Sequence, residues 1–185
     1  ISVYMRPDGV DTNEGTRESP LKTIGKALEV IRDRAAADTS RHITGEGDNA
    51  GLEFVDVTRS EIVLLRGLEL PELSDSSTDL DREFHAKGYK FAPYTSEHFG
   101  QRASERVGLE TSTNRTPLCK KGWFIVRGDF DVPREDIILT LTDDEAQLGD
   151  NQIARKELLS DFSLLDQNRT LNCFKIEHVF IDRPQ

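Results

Sequence analysis

Short apolar runs of two different periods alternate along the chain, and they place its elements. Residues 1–5 alternate and run into Arg6, Pro7, Asp8 and Gly9, which reads as a strand entering a turn. Ser19 and Pro20 then form a helix start: Ser as N-cap, and Pro at the first helical position, where its missing N–H costs nothing. Leu21, Ile24, Leu28 and Ile31 follow at helical spacing, with Ala27 beside them. Lys22, Lys26, Glu29 and Arg32 take the other face, so the spacing predicts a helix over 20–37.

Residues 42–51 are rich in Gly, Asp and Asn and read as a turn region. Strands are expected over 52–57 and 61–65, with a shorter one over 68–70. Only Thr58, Arg59 and Ser60 separate the first two. That spacing fits a hairpin, and it equally fits consecutive parallel segments around a bend. Residues 71–117 are polar and poor in regular pattern. Thr78 is placed to cap a short helix over 79–87 that Gly88 ends, with small strands near 89–91. Structure returns with strand-like runs over 123–126 and 137–141. Thr142, Asp143, Asp144 and Glu145 form a capping box for a short helix stopped by Gly149. A second helix is expected from Asp150, with Ala154, Leu158, Phe162 and Leu165 along one face, and a last strand over 174–181. The sum predicts an α+β fold: a mixed β-sheet with a capped N-terminal helix and C-terminal helices. A single domain over 1–185 is expected, divided into segments 1–70, 71–117 (loop-rich) and 118–185 (mixed α/β).

Charge narrows the partners. The chain carries 24 Lys and Arg against 34 Asp and Glu, a net charge of −10. Such a chain repels phosphate backbones and anionic membranes, which argues against nucleic acid. The best basic candidate, Lys120 and Lys121, is too short to reverse that. No apolar run approaches the roughly 20 residues of a membrane span. Cys119 and Cys173 lack the spacing of a zinc site or a CxxC motif; one long-range disulfide and two free thiols both remain open.

Few residues carry an obvious chemistry. Asp8, Asp11, Asn13 and Glu14 invite a calcium loop, but Gly15 stands where a third oxygen ligand belongs and Lys22 where the bidentate Glu belongs. Turn chemistry, with Asp and Asn bonding nearby backbone, is the better reading. No HExxH, GxSxG, GxGxxG or Walker A motif occurs. His178 reads as a packed or surface histidine of the last strand. Arg127, Gly128 and Asp129 spell the tripeptide of integrin ligands but read as ordinary turn material. Tyr94, Glu97 and His98, together in a loop, are the candidate binding residues, because loops carry function. No catalytic residue, metal site or cofactor is assigned.

The segment "VYMRPDGVDTNEGTRESPLKTIGKALEVI" resembles the N-terminal capping segment of right-handed parallel β-helix (pectate-lyase-like) proteins. There a short strand leads into a D-G-x-D-x-N-x-G loop, then S/N-P-[FL]-x-T-I and an amphipathic helix that covers the first coil. Asp8, Gly9, Asp11, Asn13, Gly15, Pro20, Leu21, Thr23 and Ile24 match, and "GEGDNAGLEFVDVTRSEIVLLRGLEL" looks like early coils. The match spans residues 3–70. It implies a short right-handed parallel β-helix as the alternative fold. The next expected strand lies some fifty residues further on, and the C-terminal helices do not fit regular coils. Proteins of this kind include polysaccharide lyases, glycoside hydrolases, phage tail spikes and adhesins. The resemblance therefore implies an extracellular or virion-associated module that binds or cleaves a polysaccharide, and it transfers no catalytic residue. A non-enzymatic α+β structural or interaction domain, with a protein partner, is the alternative.

Overall fold

The computed structural model describes residues 1–51, 53–95, 98, 116–142, 153–154 and 173–182. Among them are strands β1 (Ser2–Met5), β2 (His42–Thr44), β3 (Glu53–Asp56), β4 (Glu61–Leu64), β5 (Thr116–Leu118), β6 (Phe124–Gly128), β7 (Ile138–Thr142), β8 (Ile153–Ala154), β9 (Phe174–Glu177) and β10 (Phe180–Asp182), with helices α1 (Ile24–Ala37) and α2 (Asp79–Ala86). The fold is α+β, as the patterns predict.

Three sheets organise it. β1, β4, β6 and β9 lie side by side in chain order, every pair parallel. β3 is parallel to β5 and antiparallel to β2, while β7 lies parallel to both β10 and β8. The chain steps from sheet to sheet: β3 bends into β4, β5 into β6 and then β7, and β9 into β10. β3 and β4 thus belong to different sheets, so residues 57–60 form a bend and not a hairpin.

The bends stack as the strands do. Val57 donates its N–H to the Leu118 carbonyl at 2.8 Å and Arg59 to the Trp123 carbonyl at 3.0 Å. Three of the bends hold a residue in the left-handed region: Arg59 at φ 66°, Gly122 at φ 115° and His178 at φ 54°. His178 therefore divides the single strand expected over 174–181 into β9 and β10.

Inward positions are apolar and in register. Val3, Ile62 and Val126 form one buried row that Ile176 continues, and Met5 and Leu64 begin a second. One core cluster joins these to Ile24, Ala27, Leu28, Ile31 and Ala35 of α1 and to Leu139 and Leu141 of β7. Each Val, Leu, Ile or Met side chain so removed from water contributes roughly 1.5–3 kcal/mol. Helix α1 packs on β1 and β3 and so covers one end of this core.

The loop before α1 covers the outer edge of β1. Tyr4 donates its N–H to the Gly15 carbonyl (2.8 Å) and accepts from Leu21 N–H (2.9 Å), while Arg6 donates to the Leu21 carbonyl (3.0 Å). An edge strand left bare would invite pairing with another chain. This pairing also corrects the predicted helix start. Leu21 runs alongside Met5 as a parallel bridge, and Thr23, not Ser19, is the N-cap, its side chain accepting from Lys26 N–H. Gly9 permits the close approach: a Cβ there would lie 2.2 Å from the Leu21 carbonyl oxygen.

Helix α2 forms as its caps predict. Thr78 and Asp81 make a reciprocal capping box, and Gly88 at φ 84° ends the turn. Its Phe84 stacks on Tyr89, Tyr89 stacks on Phe180, and Lys87 pairs with Asp182 at 3.0 Å, seating α2 against β10. Ile153–Ala154, expected within a C-terminal helix, is the short strand β8 on β7. The rest of the two C-terminal helices, including Asp143 to Glu145, lies outside the described residues. Cys119 and Cys173 form a disulfide, with Cα atoms 6.1 Å apart, that ties the end of β5 to the start of β9.

Candidate functional site

The residues singled out beforehand are spent on the fold. Asp11 Oδ1 accepts from the backbone N–H of Lys22 (3.0 Å) and Thr23 (2.9 Å), and Oδ2 accepts from the Thr23 hydroxyl (2.7 Å). Asn13 donates its side-chain amide to the Pro20 carbonyl at 2.9 Å. The D-G-x-D-x-N-x-G loop thus holds itself against α1 and β1.

Tyr94 is 1% exposed. Its hydroxyl stands 2.9 Å from the carbonyl oxygens of both Met5 and Leu65, donating its single proton between them, and burial raises its pKa well above the usual value. His98 is 8% exposed and meets Tyr94 edge-on. Its Nδ1 accepts from the Thr95 N–H at 2.8 Å, which leaves the proton on Nε2 in the neutral ring. Burial, then the Lys22 charge, lowers its pKa to about 4, against a smaller opposing backbone hydrogen bond with Pro7. Tyr94 and His98 therefore fasten the turn after α2 to the first strands, and neither presents a polar group to a ligand. Glu97 lies outside the described residues.

A second set of polar and charged groups gathers elsewhere, on the outward side of the four-stranded parallel sheet, with Glu61 and Arg127 partly buried there. Register sets Ser2, Glu61, Ile125 and Lys175 in one row, and Tyr4, Val63, Arg127 and Glu177 in the next. Burial alternates along β6, so Ile125 and Arg127 face away from the core, and Trp123 shares their side by the same period of two. Glu61 accepts from Arg127 Nε at 2.9 Å and from the Ser2 hydroxyl at 2.9 Å. The Arg127 hydrogen bond holds the Glu61 carboxyl below its ordinary pKa. Beyond β6, Asp129 accepts from Arg17 at 2.7 Å. Burial pushes the Asp129 pKa up, but Arg17, the Asp131 N–H and the nearby Arg127 outweigh it and hold the carboxyl low.

Two large aromatic side chains flank this face. Trp123 is 50% exposed, with Lys175 Nζ 5.7 Å from its ring centre. Phe130 is 59% exposed, with the Arg127 guanidinium 4.2 Å over its ring and His178 edge-on at 5.1 Å. The Arg127-Gly128-Asp129 tripeptide is accordingly no free loop, since Glu61 and Arg17 hold its two charges. This site is hidden in the sequence because Ser2, Glu61, Arg127 and Lys175 meet only through strand register. The available signal was the alternation of Trp123, Ile125 and Arg127 around the chain's single tryptophan.

Among the described residues no helix is long and apolar enough to cross a membrane. Comparison with protein-family models, with curated proteins and with solved structures found no match to the chain.

Proposed function

We propose that the chain is a polysaccharide-binding module and that the outward face of the β1-β4-β6-β9 sheet is its binding strip. The observation that carries this is Trp123, half exposed beside a row of ordered polar groups. A flat aromatic ring offers an apolar platform to the C–H face of a sugar. Arg127, Glu61 and Ser2 supply donors and acceptors for its hydroxyls, already oriented by their mutual bonds. Five residues separate Trp123 from the end of β6, and at a strand rise of about 3.3 Å the platform runs roughly 17 Å. That length takes an oligosaccharide rather than a single sugar.

Neither Glu61 nor Asp129 is set up as the proton donor of a cleavage reaction. Glycoside hydrolysis uses one carboxyl kept protonated and a second kept ionised. Glu61 and Asp129 are both held low by arginine, so neither is a proton donor at neutral pH. The disulfide supports an oxidising, extracellular or virion-surface setting. The parallel stacking of successive passes, covered at one end by α1, supports the likeness of residues 3–70 to a β-helix cap.

The test is retention of the protein on a panel of immobilised neutral and acidic polysaccharides. At least one should bind, and Trp123→Ala should weaken it about tenfold or more. Absence of binding across the panel, or binding untouched by Trp123→Ala and Arg127→Ala, contradicts the proposal.

A further inference from the structure

Building on the saccharide-binding reading, we infer that the Trp123 end of the strip is an anion subsite, where Arg59, Lys120, Lys121 and Lys175 recognise the carboxylate or sulfate groups of an acidic polysaccharide stacked on Trp123. The chain is strongly acidic, so a cluster of unneutralised cations stands out against it. Arg59, Lys120 and Lys121 are exposed, and among the described residues their side chains form no ion pair. They come from two stacked bends: Arg59 N–H bonds the Trp123 carbonyl at 3.0 Å, and Lys120 N–H bonds the Thr58 hydroxyl at 2.9 Å. Lys175 reaches the same place from β9, over the Trp123 ring and 3.9 Å from Glu177.

The backbone beneath the subsite is held firmly. Cys119, next to the lysines, is tied to Cys173, and Asp56 Oδ1 accepts from the N–H of Lys120 (3.1 Å) and Thr58 (2.9 Å) and from the Thr58 hydroxyl. Asp56 is thereby committed to the backbone, and Glu61 is committed to Arg127. These bonds fix the backbone that carries Arg59, Lys120 and Lys121, so their exposed side chains start from a set base and are free to turn toward an anion. At the opposite end the cations are already paired, Arg17 with Asp129 and Asp131 and Arg127 with Glu61, so the strip's cations without an ion pair among the described residues stand at the Trp123 end.

The experiment compares alginate with its carboxyl-reduced form on wild-type protein and on the Arg59→Gln/Lys120→Gln/Lys121→Gln triple variant, at 50 and 300 mM NaCl. A Lys175→Gln variant, polyuridylate and the wider glycan panel complete it. The backbone N–H bonds of the bend survive these substitutions, and an unchanged melting midpoint verifies folding. The expected result is alginate bound at least tenfold more tightly than the reduced polymer at 50 mM. High salt and the triple variant should each erase that preference, and Lys175→Gln should reduce it. Equal affinity for the two polymers, or a preference that survives the triple variant, overturns the anion subsite while leaving the saccharide reading standing. Failure of every glycan overturns that reading as well. Polyuridylate bound as tightly as alginate would reassign the cluster to nucleic acid.

Discussion

Replacing Cys119 and Cys173 together by Ala should remove a large share of the protein's stability. The bridge spans 54 residues of sequence. On the chain-entropy account, closing a loop of that length lowers the entropy of the unfolded chain by about 14 cal/mol/K, or about 4 kcal/mol at 25 °C. For a chain of 185 residues, each kcal/mol moves the melting midpoint by about 2–4 °C, so the variant should melt roughly 8–16 °C lower. The placement makes this more than a local effect, because the bridge fastens the end of β5 to the start of β9. Calorimetry of the wild type with and without reductant, beside the double variant, is the assay. Reduction and substitution should give matching losses. A shift under about 2 °C, or two titratable thiols in the denatured but unreduced protein, would refute the reasoning.

Three further outcomes follow from other contacts. Gly128→Ala would bring a Cβ to 2.0 Å from the His178 carbonyl oxygen and 3.1 Å from Ile137 Cγ1; prising the stacked bends apart should cost about 1–3 kcal/mol in urea unfolding, and a neutral substitution would show that the bends do not stack. Asp11→Ala removes three hydrogen bonds at the entry to α1 and should cost about 2–3 kcal/mol, with Asp11→Asn losing less because one acceptor oxygen remains; equal losses would contradict the assigned bonds. His98 binds its proton more weakly in the folded state, near pH 4 against 6.5 unfolded, so its contribution is complete above about pH 6.5 and falls by about 3 kcal/mol as the pH drops to 4. Urea midpoints across that window should slope less steeply in His98→Gln than in the wild type, the remaining slope near pH 4 coming from carboxyls such as Glu61 and Asp129, and an unchanged slope would refute a buried neutral His98.

Local signals proved legible where they were self-sufficient. Thr78, Asp81 and Gly88 cap α2 through groups within one helix length, and the caps alone locate it. Asp11 and Asn13 bond backbone as well, but across the loop at Thr23 and Pro20 and not within their own turn. Where a distant strand intervened, local spacing misled. Leu21 fits the helical period, yet its N–H is taken by Tyr4, which postpones the helix to Ile24. β5 contains Pro117 and was invisible until its pairing with β3 placed it. His178 interrupts an apolar run that otherwise reads as one strand, because the bend over Gly128 needs a left-handed residue there.

The site was less legible than the fold. Tyr94 and His98 look like loop residues by neighbourhood, but burial is set by elements about 30 and 90 positions away, at Leu65 and Met5. Lys120 and Lys121 are too short a patch on their own; stacking against Arg59 and Lys175 gives them company. Sequence distance hides such clusters, since neighbouring strands of the four-stranded sheet lie 50 to 64 residues apart in sequence.

The single tryptophan makes the central claim directly measurable, because Trp123 is the chain's only indole and stands on the proposed strip. Titration with a polysaccharide that binds by calorimetry should shift Trp123 emission to the blue and protect it from acrylamide quenching, with the same midpoint as the heat signal. A polysaccharide that binds with full heat and leaves both the emission and the quenching of Trp123 unchanged would contradict the account.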